Sequence, residues 1–419
     1  MQYVLGNMLN GGGGLNPDGL SLDLQFAADK TLTARKGPTP VFTRASTATF
    51  VGSNGLIQSA AVNAARFDHD PVTLASRGLL IEESRTNSIT GSNAFNTWTL
   101  GNSTVASSSV VTPEGTADAW KLVEDSLLAH HNATRPFTPV SGTTYTASVW
   151  LKSAENSFAF VGLTGGGVPT TFISVNLSTG AVSTAVGTPV GATSAAYSNG
   201  WWRVSFSLAA TASLSSNIDI RLSRDGNWAN RSYLGNGVNG MYCYGGQVEA
   251  GSFATSYIPT TTASVVRSAD VCSITGSDFT GFTKLGEGSV VVHGDSYQGT
   301  TPAFCQFSNN TNGARSFNFQ RNSSTGALEH SDSGAGLMTV SASPSFPVKF
   351  GAARNQTVGI KLFYNGVAGA SSVFTTNATQ TRMLIGNSGI GLPLNGCIRS
   401  IKHFKKRLSE EKMQILTAP

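Results

Sequence analysis

The chain has 419 residues, of which 40% are hydrophobic, so it contains enough apolar material for the cores of two or three domains. Only 12% of the residues are charged, while 47 are glycines, so solubility depends largely on neutral hydrogen-bonding groups. This composition argues against helical domains, whose outer faces carry dense charge. The net charge of +5 is mild and scattered, which argues against a nucleic-acid-binding protein.

Residues 1–37 are predicted to form a flexible N-terminal arm, because residues 11–14 are four consecutive glycines. Within this arm, residues 20–26 alternate apolar and polar side chains, which predicts a docking strand. We expect this strand to join a sheet of its own chain or of a neighbouring chain. The first residues lack a basic region followed by an apolar stretch, so we expect synthesis in a cytoplasm and no membrane insertion.

Residues 38–93 contain short strands separated by turns, which predicts a β-rich collar or docking subdomain. Strands are expected at residues 47–51, 56–58 and 78–83, with a reversal at Asn54 and Gly55.

Residues 94–262 and 263–419 each contain many short alternating segments between turns, as in residues 202–208 and 359–364. This pattern predicts a jelly roll followed by a second β-sandwich. A short helix is expected at the C-terminus, with Ser409 as its N-cap. The predicted fold class is therefore all-β, with tandem β-sandwich or jelly-roll domains after an extended N-terminal arm.

No motif predicts catalysis, a metal site or a cofactor. Residues 235–240 match GxGxxG, but a strand rather than a helix is expected after them. Residues 68–70 read Asp-His-Asp, yet neighbouring side chains of an extended segment point to alternate sides, so a turn is favoured over a metal site. The basic cluster at residues 402–407 is interpreted as a solvated strand end, and no nucleic-acid partner is expected.

Glu82 and Glu83 are neighbours on a predicted strand and face opposite ways, which does not suit the paired carboxylates of a glycosidase. We expect structural ion pairs instead, formed with Arg44, Arg66 or Arg85 inside the fold.

Two tryptophans are candidates for glycan binding. Alternation places Trp202 on the core face of its strand and Trp201 and Arg203 on the other face. Trp201 and Arg203 can then form a stacking platform and a hydrogen-bond donor for a sugar. Trp228, in a predicted loop, is a second candidate. The alternative for both tryptophans is packing under a loop or at a subunit interface.

Residues 42–50, continued by residues 55–57, 71–73 and 78–87, resemble a module common in head-spike and tail-fibre proteins of tailed bacteriophages. The same family is expected to have later segments like residues 200–203, 247–251, 255–260 and 267–270 of this chain. The intervening domain looks like the jelly roll of a carbohydrate-binding module. The C-terminal part is similar to laminin-G or concanavalin-like sandwiches, through residues 362–367 and 394–409.

This resemblance implies a non-enzymatic structural protein at the virion surface, such as a head fibre, spike or capsid decoration protein. It implies docking on capsid or tail proteins through the N-terminal region, a homotrimer, and glycan-binding sandwiches that project outward. The alternative is a tail fibre or tailspike that binds or processes a host-surface polysaccharide. A convergent pair of carboxylates in a cleft favours this alternative.

Overall fold

The computed structural model describes residues 18–296, 303–309, 315–322, 324–332, 336–341, 344–373, 379–388 and 393–419. Within these residues the chain is built almost entirely of antiparallel strands and has three short α-helices. The all-β prediction is confirmed. The glycine run at residues 11–14 lies outside the described residues.

The first described segment contributes seven short strands and one helical turn. They are β1 (Leu20–Leu24), α1 (Phe26–Asp29), β2 (Val41–Thr43), β3 (Ala48–Val51), β4 (Ile57–Ala60), β5 (Phe67–His69), β6 (Ser76–Ile81) and β7 (Arg85–Asn87).

The next fourteen strands form the predicted jelly roll. They are β8 (Thr99–Gly101), β9 (Ser103–Ser107), β10 (Trp120–Glu124), β11 (Leu128–Ala129), β12 (Asn132–Phe137), β13 (Thr144–Ser153), β14 (Phe158–Gly165), β15 (Thr171–Asn176), β16 (Val182–Val186), β17 (Val190–Tyr197), β18 (Trp201–Ala209), β19 (Ser216–Ser223), β20 (Tyr233–Leu234) and β21 (Gly240–Ala250).

The remaining elements lie in the C-terminal part of the chain. They are β22 (Val265–Arg267), β23 (Val271–Thr275), α2 (Gly276–Phe282), β24 (Glu287–Gly294), β25 (Ala303–Ser308), β26 (Arg315–Arg321), β27 (Leu328–Asp332), β28 (Gly336–Ser341), β29 (Val348–Asn355), β30 (Gly359–Tyr364), β31 (Val367–Ser372), β32 (Arg382–Ile385), β33 (Gly396–Phe404) and α3 (Glu410–Thr417). Ser409 caps α3 by accepting a hydrogen bond from the Lys412 amide.

Besides the short pair β11-β20, the jelly roll consists of two six-stranded sheets, in the orders β17-β18-β13-β21-β10-β9 and β16-β15-β14-β19-β12-β8. Their facing side chains form one buried core. In β18 the predicted core face is confirmed, because Val204, Phe206 and Leu208 are buried in this core and Trp202 packs against it.

The second sandwich also has two sheets, in the orders β31-β30-β29-β24-β33-β6-β5 and β2-β23-β32-β25-β26-β27-β28, with β1 paired to β33. Strand β1 therefore joins a sheet of its own chain, with Leu24 opposite Ile401. Leu22, Leu24 and Phe26 have no exposed surface and belong to the main core of this sandwich. The prediction of a flexible arm is thus wrong for residues 20–29. The apolar side chains of this segment are removed from water only when they pack into the sandwich core.

Residues 38–93 do not form a separate collar either. Strand β2 pairs with β23, and β6 pairs with both β5 and β33, so the segment completes both sheets of the second sandwich. Strands β5 and β6 pair with each other inside one of these sheets, whereas the predicted hairpin of β3 and β4 forms a two-stranded sheet of its own. Strands of three to six residues cannot bury a core of their own, so they extend sheets that already have one.

The jelly roll is an insertion within the second sandwich. It follows β7 and precedes β22, and these two strands pair with each other at its base, with Arg85 opposite Arg267. The expected boundaries at residues 93 and 262 therefore mark the two ends of an insertion, and the strands on either side of it belong to one sandwich.

Candidate functional site

A buried ionic cluster lies where the insertion leaves and re-enters the second sandwich. It consists of Arg44, Arg66, Glu82, Arg267 and Asp270, each at most 2% exposed. Glu82 pairs with Arg66 at 2.7 Å and with Arg267 at 2.9 Å. Asp270 pairs with Arg44 at 3.2 Å and also with Arg66. Arg66 therefore joins the two carboxylates.

The guanidinium groups of the cluster have further partners on the backbone. Arg44 donates to the Ala61 carbonyl oxygen at 2.7 Å, and Arg66 donates to that of Thr49 at 2.8 Å. Arg267 donates to the Glu83 carbonyl oxygen at 2.6 Å. Buried charges are tolerated when most of their hydrogen-bonding groups have partners, so these bonds are what allow the cluster to be buried.

The Glu82 carboxylate is ionised in this setting. Burial is the largest influence and raises its pKa, but Arg267, Arg66 and hydrogen bonds from Ser256 together outweigh burial and lower the pKa to about 2. The Ser256 amide and hydroxyl both donate to this carboxylate at 2.7 Å. A carboxylate held in this way acts as a structural anion and not as a general acid.

Side-chain hydrogen bonds within residues 247–260 hold the conformation of this segment. Glu249 accepts hydrogen bonds from Gln247 and from the Thr255 amide, both at 2.8 Å. Gln247 in turn accepts from the Ile258 amide at 2.7 Å. These bonds hold the segment beside the ionic cluster.

Glu83 and Arg85 form a second pair next to the cluster, at 2.5 Å. The Arg85 guanidinium also donates to the Ala250 carbonyl oxygen and lies 4.7 Å from the centre of the Phe253 ring. It fills the space beside Gly251, so a Cβ atom there would collide with the guanidinium group. Gly251 also has a φ of +137°, in the region that favours glycine.

The structure thus brings together Arg44, Arg66 and Glu82 and places Glu83 with Arg85 beside them. Arg267 and Asp270 were not predicted as ion-pair partners. The Arg-x-x-Asp spacing of residues 267–270, part of the resemblance to the phage module, was the signal that could have identified them.

Trp201 is not available to a sugar, so its proposed role as a stacking platform is wrong. It lies on the predicted side of β18 but has no exposed surface. Its indole N–H donates to the Val111 carbonyl oxygen at 2.8 Å, and the ring packs with Ile57 and Tyr244. The loop near residue 111 and the β3–β4 hairpin cover this face of the sheet.

Arg203, on the same face, is only half-buried and lines an open cleft of about 590 Å³. Its guanidinium lies 4.4 Å from the centre of the Trp150 ring and donates to the Ser148 hydroxyl at 3.2 Å. One wall of the cleft is formed by β17 and β18. The facing wall is formed by β3, β5 and the loop after β5, and Glu82 also lines the cleft.

The Asp-His-Asp sequence lies on the opposite wall of this cleft. Asp68 accepts a hydrogen bond from the Val51 amide at 2.8 Å, and Asp70 accepts from the Val72 and Thr73 amides at 3.0 and 2.8 Å. Asp70 therefore closes a turn, although Asp68 and His69 belong to β5. In the described part of the chain no three His, Cys, Asp or Glu side chains are grouped as metal ligands.

The Asp68 carboxyl has a raised pKa, in contrast to Glu82. Burial raises its pKa to about 6, against the opposing influence of Arg77, whose guanidinium is 3.8 Å away. Its charge therefore changes within the physiological pH range.

Trp228 lies on the outer face of the other jelly-roll sheet, where it is half-buried. Its ring centre is 4.6 Å from that of Phe172 and 5.2 Å from that of Phe160. Arg231 lies 5.0 Å and Arg221 lies 5.5 Å from its ring centre. We call these five residues the Trp228 patch. Phe160 and Phe172 are buried beneath the indole, so the patch presents the Trp228 ring beside guanidinium groups, the combination expected for sugar binding.

All four cysteines, at positions 243, 272, 305 and 397, are buried and free. Burial raises the pKa of each thiol, which keeps it protonated and unreactive. None of the described helices is long and apolar enough to cross a membrane.

Comparison with family models and with curated proteins gives no match to this chain.

Proposed function

We propose that the chain is a non-enzymatic structural protein of a tailed bacteriophage particle. It docks on capsid or tail proteins through its N-terminal region, assembles as a homotrimer and displays glycan-binding β-sandwiches at the virion surface.

The observation that carries this proposal is the composition of the ionic cluster. Arg44, Glu82, Arg267 and Asp270 belong to three separate segments that resemble the phage module, and Ser256 comes from a fourth. These segments meet at one point. The segments that resemble the phage module therefore form a structural junction that fixes the insertion to the second sandwich. A rigid junction of this kind suits a virion component that projects from the particle.

The glycan-binding part of the proposal is supported by the Trp228 patch, which presents an aromatic ring and two arginines on an outer sheet face. Each such shallow site binds weakly, and multiple copies on a particle raise the overall affinity without new contacts.

The alternative, a spike that processes polysaccharide, needs two carboxylates free to act. Those of the cleft wall have structural partners: Glu82 is held by arginines, Asp70 by turn amides and Asp68 by the Val51 amide and Arg77. This arrangement favours binding over hydrolysis.

The test is incorporation of the tagged chain into particles during phage growth, measured by mass spectrometry of purified virions. We expect the full chain in the particles, and a variant without residues 1–17 to unfold at the same temperature but to be lost from them. This truncation keeps β1 and hence the core residues Leu22 and Leu24. Absence of the full chain from particles would overturn the proposal, and normal incorporation of the truncated chain would overturn N-terminal docking.

A further inference from the structure

We propose that the cleft between β5 and β18 is a binding site for a neutral glycan, recognised through its hydroxyl groups. The proposal deepens the glycan-binding part of the proposed function and rests on it. The Trp228 patch lies on the other jelly-roll sheet, so the two sites are distinct.

The cleft has the size and lining of a ligand site. Its volume of about 590 Å³ falls within the range of roughly 300–1,000 Å³ that is typical of small-molecule sites. Among its apolar and aromatic side chains Leu80 and Trp150 are buried, whereas Ala196 and Tyr197 are half-buried. The half-buried side chains can pack against the C–H face of a sugar ring.

Three polar atoms of the wall are buried and find no hydrogen-bond partner among the described residues: Trp150 Nε1, Arg203 Nε and His69 Nε2. Trp150 is 1% exposed and His69 is 3% exposed. A buried polar group without a partner costs about 1–3 kcal/mol, so a ligand whose binding shifts the wall enough to reach these atoms is favoured.

The three atoms differ in whether they donate or accept a hydrogen bond. The indole and guanidinium N–H groups of Trp150 and Arg203 donate. His69 Nδ1 lies 3.2 Å from the Val51 carbonyl oxygen, which can only accept, so the tautomer that satisfies this contact carries its proton on Nδ1 and has an acceptor at Nε2. Only a ligand that both donates and accepts satisfies this set, and a sugar hydroxyl does both.

The charges of the cleft wall do not favour an anionic ligand. Glu82 is compensated by Arg66 and Arg267. Asp68 and Asp70 are balanced by Arg77 and Arg203. The wall therefore has no excess positive charge that would attract a uronic acid or a phosphate group. The ligand is therefore expected to be neutral.

The cleft can be blocked without removing any of its polar groups. Ala195, on the edge strand β17, is exposed and lies opposite Arg203 in the neighbouring strand. Ala195→Trp places a large ring at the mouth of the cleft. Ala106→Trp is the matched control, because Ala106 is also exposed and lies on β9, the opposite edge of the same sheet.

The experiment uses the full chain on an array of neutral hexose and N-acetylhexosamine oligosaccharides, with uronic-acid oligosaccharides as the acidic arm, followed by titration of the best ligand. We expect neutral ligands to bind and Ala195→Trp to weaken binding at least about tenfold, while Ala106→Trp stays within about twofold of the unmodified chain. Arg203→Met, which keeps an apolar contact with Trp150 but removes the donors, is expected to weaken binding about tenfold. Thermal unfolding of each variant checks that it folds.

Binding that Ala195→Trp leaves unchanged, binding of acidic ligands alone, or no binding of neutral oligosaccharides would each overturn the site. These outcomes leave incorporation into particles unaffected, so failure of the site and failure of the proposed virion role are distinguishable.

Discussion

Glu82 and Asp270, 188 residues apart, are joined through their backbones as well as through Arg66. The Glu82 amide donates to the Asp270 carboxylate at 2.8 Å, and the Asp270 amide donates to the Glu82 carbonyl oxygen at 2.9 Å. Glu82 directly follows β6 and Asp270 directly precedes β23, so this pair ties the two sheets of the second sandwich together beside the base of the insertion.

Removing the charge of Asp270 should destabilise the protein strongly. Asp270→Asn leaves Arg44 and Arg66 buried with less compensation, and breaking a buried pair costs about 3–5 kcal/mol. The free energy of unfolding in denaturant measures this loss. Asp29→Asn is the control, because its partner Arg35 is half-exposed and such surface pairs contribute about 0–1 kcal/mol. Equal, small losses in both variants would show that the cluster does not stabilise the fold.

Glu82 should contribute to acid sensitivity. Its pKa in the folded protein is about 2, below the ordinary value of 4.5, so its contribution is present above pH 4.5 and is lost as the pH falls towards 2. The difference corresponds to about 3 kcal/mol. Glu82→Gln should therefore be less stable at pH 7 and show a flatter decline of stability between pH 5 and pH 2. A decline as steep as that of the unmodified chain contradicts the assignment.

Asp68 should have the opposite pH dependence. Its pKa in the folded protein is raised to about 6, so the folded state holds the proton more tightly and stability falls as the pH rises from about 4 to about 6. Asp68→Asn removes this effect, while the Asn side-chain oxygen can still accept from the Val51 amide. Relative to the unmodified chain, the variant should gain stability between pH 4 and pH 7, by up to about 3 kcal/mol. Melting temperatures measured across this range test it, and a constant difference contradicts it.

Residues of β1 should be needed for folding. Leu22 has no exposed surface and lies in the core of the second sandwich, so Leu22→Ala should cost about 2–5 kcal/mol. Leu128 is 74% exposed, and Leu128→Ala should change stability by less than about 0.5 kcal/mol. Unfolding in denaturant compares the two variants. If Leu22→Ala is as mild as its control, β1 is a dispensable arm after all.

The alternation of apolar residues was sufficient to predict the β-sandwich class, the β3–β4 hairpin and the two faces of β18. It could not show that Trp201 is covered, because the covering residues Ile57 and Val111 lie far from β18 in the sequence. Alternation defines the face of a strand, but the partner of that face depends on tertiary packing.

The insertion of the jelly roll within the second sandwich could not be predicted from the sequence either. Residues 20–26 predicted a strand that needs a sheet, and nothing local identified the sheet as that of β33, nearly four hundred residues away. The same holds for Arg267 and Asp270, whose partners Glu82 and Arg66 are on the other side of the insertion. Long-range pairs of this kind leave no periodic signal in the chain.

The most direct test of the virion assignment is a cryo-EM reconstruction of the intact particle from cells that express the chain. We predict surface density, at the capsid or the tail, that fits three copies of the second sandwich with its inserted jelly roll. The sandwich ends that carry residue 18 should face the particle. Purified particles that contain no density for the chain, or density in which the jelly roll faces inward, would contradict the account.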